Sequence, residues 1–203
     1  FHGGEAQGGA AATSNGGKNA PWVCGWLDWT LSGDNTNQAF VIDPKYSKLA
    51  TYFGNTKNIL KCPADKYLST TQRKAAWTER VRSISGNIGV GDGNAESGPW
   101  NASMYKHIKS TADFLYPGPA MTWVYIDENP DSINDAGFFN PNTASAWTDQ
   151  PASYHNNAAG LAFADGHSEV KKWTASLATP RANQIFWNAA ANATARAGDS
   201  DIN

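Results

Sequence analysis

The sequence predicts an α+β domain with a small antiparallel β-sheet, one or two short helices and long irregular loops. Three features predict it. Asp165 and Gly166 stand between two short alternating runs, Gly160 to Ala164 and His167 to Trp173, and an Asp-Gly pair in that setting signals a tight hairpin. Met121 to Ile126 is the most hydrophobic strand candidate and is expected at the centre of the sheet. Asp43 and Pro44 supply an N-cap and a first-turn proline for a run with Tyr46, Leu49, Ala50 and Phe53 at helical spacing, closed by Gly54.

In chain order, residues 1–20 are Gly, Ala, Ser and Asn with little to bury, and read as a flexible lead-in to one domain spanning 21–203. Trp22 to Leu31 alternates large and small residues like a strand. The 43–54 helix should turn its apolar stripe to the sheet, and Pro63 after Cys62 marks a chain reversal. Residues 66–78 are polar and carry no clear assignment, whereas Arg80 to Ile88 alternates as a strand. Residues 89–103 form a Gly/Asn-rich loop. At the hairpin, a two-residue turn pairs Phe163 with Ser168 and Leu161 with Val170, placing Leu161, Phe163 and Val170 on one buried face. Past Trp173, the residues Ile185, Phe186 and Trp187 can dock a short turn.

Composition narrows the function class. With 16 basic and 18 acidic residues the net charge is −2, so the chain lacks the electrostatic footprint of a nucleic-acid binder. Charged residues make up 17%, beside 19 Gly, 10 Pro and 9 Trp, a turn-rich profile that fits exported β or α+β proteins. Cys24 and Cys62 permit one disulfide closing a loop of about forty residues, worth roughly 3–4 kcal/mol in the chain-entropy model. Two free buried thiols are the alternative. No run of 18 apolar residues is present, so no transmembrane helix is expected.

Signals for catalysis are weak. His155 could act as a base with Asp165 or Asp127, but neither a Gly-x-Ser-x-Gly elbow nor a cysteine in a reactive context accompanies it. A loop histidine holding a backbone carbonyl or a turn carboxylate explains the residue more simply. Asp127, Asp131 and Asp135 lie in an oxygen-rich stretch that suits Ca²⁺, although their spacing is not that of an EF-hand, and the same side chains can cap turns. The tryptophans, with Asn- and Asp-rich loops, also suit a carbohydrate-binding or surface-adhesion module, although core and sheet packing is the favoured account of them.

One pattern extends over much of the chain. His155, nine intervening residues, then Asp165 and Gly166 resembles the C-terminal signature of prepilin-type, type II secretion pseudopilin-like proteins of planctomycete-type and verrucomicrobial-type bacteria. Further segments resemble that family in order: Trp22 to Trp29, Asn58 to Asp65 with its Cys-Pro-x-Asp box, Arg82 to Asn87, and Asp127 to Asp135. The resemblance implies a pilin-like globular domain whose N-terminal anchor helix is absent from this chain. It further implies a non-enzymatic subunit of a type II secretion pseudopilus or type IV pilus-like filament, on the periplasmic or extracellular side of the cell envelope. Its partners would be other pilin or pseudopilin subunits, with polysaccharide or secreted cargo besides. It lends support to calcium, which major pseudopilins carry in a C-terminal loop.

Overall fold

The computed structural model describes residues 21–54, 56–91, 106–139 and 149–173. The expected lead-in at 1–20, most of the 89–103 loop and the Ile185 to Trp187 segment lie outside the described residues. Strands β1 (Ile84–Asn87), β2 (Trp123–Asp127), β3 (Gly137–Phe138), β4 (Ala158–Phe163) and β5 (Ser168–Lys172) make one sheet in the order β3-β1-β2-β4-β5. Few short helices accompany it, so the architecture is α+β. The sheet is mixed, which corrects the antiparallel expectation. β1 and β3 run parallel, with Gly86 opposite Gly137, and the other neighbours are antiparallel. The cause is the acidic stretch after β2, which carries the chain past β1 to that strand's far side before β3 begins.

β2 takes the central place expected of it, and its side chains divide between two cores because successive residues of a strand face opposite ways. Ile126 packs with Phe138, Ala159, Leu161 and Trp173, whereas Tyr125 packs with Trp22, Val41, Val81 and Ile133. A bulge between Trp123 and Tyr125 breaks the alternation and carries Trp123 to the Ile126 side.

The segment from Trp22 to Leu31 forms no strand. Gly25 at φ +98° interrupts extended backbone, and a Cβ there would meet the Phe40 ring at 2.8 Å. Its polar backbone is satisfied by remote partners instead: Cys24 N–H donates to Phe40 O at 3.1 Å and Leu27 N–H to Asn134 O at 2.6 Å. Helix α1 (Ala39–Ile42) ends where a helix was expected to start, with Asp43 extended at φ −95°, ψ 122°. Proline at 44 disfavours helical backbone in the residue before it, and the Asp43 carboxylate accepts Lys45 N–H at 2.8 Å in a turn. Only a 3₁₀ turn, Ala50–Tyr52, follows before Gly54 at φ +55°.

Helix α2 (Thr70–Lys74) lies in the stretch left unassigned from sequence. Its signal was a capping box: Ser69 Oγ accepts Gln72 N–H and the Gln72 side chain accepts Ser69 N–H. The Gln72 amide also donates to Asp28 O and Thr30 O, holding the tryptophan-rich loop against the helix.

The Asp165-Gly166 hairpin forms, but with a three-residue loop. Phe163 N–H donates to His167 O at 2.9 Å, Gly166 N–H to Phe163 O at 3.0 Å, and only Gly166 of the pair has positive φ. The expected pairing is therefore one residue out: Leu161 faces Glu169 and Gly160 faces Val170. A one-residue slip turns a strand over, and Val170 is 65% exposed while Leu161 remains buried.

Candidate functional site

Among the described residues, one group of His, Cys, Asp and Glu side chains brings three donor atoms within 4.8 Å of one another: Cys62, Asp127 and His155. Cys62 stands at the Cys-Pro reversal after Leu60, whose carbonyl accepts Ser83 N–H at 2.9 Å, while Ser83 Oγ accepts Cys62 N–H at 2.7 Å. Those two bonds hang the cysteine loop on the start of β1. Asp127 ends β2, and its carboxylate accepts Gly160 N–H from β4 at 3.0 Å. His155 lies in the turn before β4, where Asn156 and Asn157 both take left-handed backbone at φ +58° and +62°. Two consecutive non-glycine residues in that region are uncommon, and here they follow directly on a site residue.

Both neighbours of His155 meet the same ring nitrogen. Nε2 is 3.5 Å from Cys62 Sγ and 3.7 Å from Asp127 Oδ2. A nucleophile–base–carboxylate relay uses the two ring nitrogens separately, so this arrangement is a convergence of donors and not a relay. Burial pushes the Cys62 thiol up, opposed by backbone N–H groups of Ala64 and Asp65 at the sulfur. Burial also raises Asp127, against the Gly160 N–H and His155, which lower it. The Cys62 and Asp127 side chains are enclosed, while that of His155 is 40% exposed and opens the group to solvent. Beside it, Asp127 and Gly160 also line a cleft of about 360 Å³ on the sheet, with Ile84, Tyr125, Ala162 and Val170.

The other sequence candidates separate. Asp165 does not reach His155; its carboxylate lies 2.6 Å from His167 Nδ1 at the opposite end of β4. Of Asp127, Asp131 and Asp135, considered for calcium, Asp127 alone belongs to the close group of acidic, His and Cys donors among the described residues. Asp135 accepts Gly137 N–H at 2.8 Å near buried Arg82, and Asp131 is buried with its N–H on Asn129 Oδ1 at 3.0 Å, so turn capping accounts for this stretch. Of the two readings of Cys24 and Cys62, the structure has the unpaired thiols. Both cysteines are free and buried, with Cys24 Sγ donating to Tyr46 O at 2.9 Å and Cys62 beside His155.

Sequence reasoning missed Arg80 and Arg82, which are completely buried although strand alternation gave no hint of it. The Arg80 guanidinium lies 3.8 Å from the Trp29 ring centroid and donates to Pro130 O at 3.0 Å. Arg82 donates to Gly25 O at 3.2 Å and Asn134 O at 3.0 Å, and to Asp135 O. Their task is to join three loops.

Comparison with protein-family models, curated proteins and solved structures finds no match.

Proposed function

We propose that this domain is a non-enzymatic structural subunit of an envelope filament, of the type II secretion pseudopilus or type IV pilus-like kind, exposed on the periplasmic or extracellular side. The observation that carries the reading is how the family-like segments are used. Cys62, Ser83, Asp127 and His155 come from four separate segments of that resemblance and meet in one bonded hub. Arg80 donates to the carbonyl of Pro130 and Arg82 to those of Gly25 and Asn134, all in neighbouring loops. Polar groups consumed inside the fold serve its shape, as a scaffold requires, and leave the outer loops to set contacts with other subunits or cargo.

Immunogold electron microscopy and immunoblotting of sheared surface filaments from the native cell test this reading. Labelled filaments that disappear when the gene is deleted support it, and a protein that never co-purifies with filaments rejects it.

A carbohydrate-binding module is the second reading, and it needs exposed aromatic rings. None of the described tryptophans is exposed, which leaves Tyr52 and Tyr116, 82% and 86% exposed, to stack on a sugar. Binding on a glycan array that is lost in Tyr52→Ala or Tyr116→Ala would favour it.

A further inference from the structure

We propose that Cys62, Asp127 and His155 form a binding site for a borderline-soft divalent cation, Zn²⁺ above all. The donor set is one thiolate sulfur, one imidazole nitrogen and one carboxylate oxygen. Thiolate and imidazole select zinc-like ions over Ca²⁺ or Mg²⁺, which take oxygen ligands.

The spacing supports the assignment. Zinc bonds of about 2.3 Å to sulfur and about 2.0 Å to nitrogen at a tetrahedral angle place those atoms about 3.5 Å apart. The Cys62 Sγ to His155 Nε2 distance is 3.5 Å. The corresponding nitrogen–oxygen edge is about 3.4 Å, and the Nε2 to Asp127 Oδ2 distance of 3.7 Å closes to it by a few tenths of an ångström. All three donor atoms lie within 4.8 Å of one another, the separation that ligands of one shared ion take.

Outer contacts point the same way. Asp65 N–H donates to Cys62 O at 3.0 Å and fixes the cysteine turn, and Asp127 Oδ2 is oriented by Gly160 N–H at 3.0 Å. The left-handed pair Asn156 and Asn157 fixes the turn that presents the ring. The His155 side chain is 40% exposed, so solvent can reach the group and would supply a fourth ligand. The ion would fasten the cysteine loop, the end of β2 and the turn before β4, which are otherwise far apart in sequence.

The test uses the full chain, reduced and stripped with a chelator, then titrated with Zn²⁺ against a chromophoric chelator and separately with Co²⁺ as a spectroscopic probe. The expected result is one equivalent bound per chain with micromolar or tighter affinity, and a thiolate-to-cobalt charge-transfer band. Cys62→Ser should abolish the band and His155→Gln, which removes a ligand, should weaken binding by more than the roughly 10–100-fold that loss of an outer-shell partner costs, while Cys24→Ser keeps both. Circular dichroism of each variant separates loss of a ligand from loss of the fold. Folded wild-type protein that takes up no metal at micromolar concentration overturns the proposal, as does a band that survives Cys62→Ser. Neither failure touches the filament reading, which the isolated chain does not probe.

Discussion

The Asp127 carboxylate accepts Gly160 N–H at 3.0 Å, and a Cβ built on Gly160 would fall 2.9 Å from the same oxygen. The absence of a side chain at 160 is therefore what lets β2 and β4 deliver Asp127 to His155. Gly160→Ala should displace the carboxylate and destabilise the fold by about 1–2 kcal/mol, the range for overpacking a tight site. Urea unfolding measures it; a variant as stable as the wild type would mean the oxygen moves aside at no cost.

Arg82 joins the loop at Gly25 to the one at Asn134 and Asp135 by its guanidinium. Arg82→Ala leaves buried carbonyls without donors and should cost about 3–5 kcal/mol, enough to abolish folding of a marginal domain. Arg82→Lys should rescue it poorly, because a compact ammonium cannot reproduce the planar fork. Equal stability of the lysine variant in denaturant titrations would refute this role.

Arg80 on Trp29 is a cation–π pair with the cation fully buried. Trp29→Leu keeps an apolar side chain but removes the ring face, and should lower stability by about 2 kcal/mol or more. Thermal unfolding of the two proteins decides; an unshifted midpoint counts against the pair.

Burial lifts Asp135 to about 6 and Glu128 to about 8, with Asp149 also raised by its burial. Carboxyls of the unfolded chain titrate near 4. Between those limits the native state holds protons that the unfolded chain has released, so stability is greatest on the acid side and falls as pH rises towards about 8. Urea midpoints at about pH 5 and about pH 8 should differ in that direction, and Asp135→Asn should flatten the lower part of the slope. A midpoint that rises with pH would show that these carboxyls are ionised in the fold.

Register in the hairpin predicts a contrast. Val170 opposes Gly160 and is exposed, so Val170→Lys should change stability by no more than about 0.5 kcal/mol. Leu161 is buried against Trp173 in the core, and Leu161→Ala should cost about 2–5 kcal/mol. If the valine variant proved the more damaging, the strand would be paired one residue over.

Local chemistry made some of this structure legible from sequence alone. The α+β class, the central strand near Met121 to Ile126, the Asp165-Gly166 turn and the stop at Gly54 follow from alternation, from positive φ at glycine and from turn residues, all of which act over a few positions. The Ser69 and Gln72 capping box was equally local and was legible to a closer reading. Tertiary structure decided the rest. Whether β5 shows Val170 to solvent depends on one residue of loop length. The meeting of Cys62 with His155, 93 residues apart, depends on bonds that tie the cysteine loop to β1, β1 to β2 and β2 to β4. Spacing along a chain carries no record of such a meeting, because long-range strand pairing and buried arginines set the positions of loops that have no regular structure of their own.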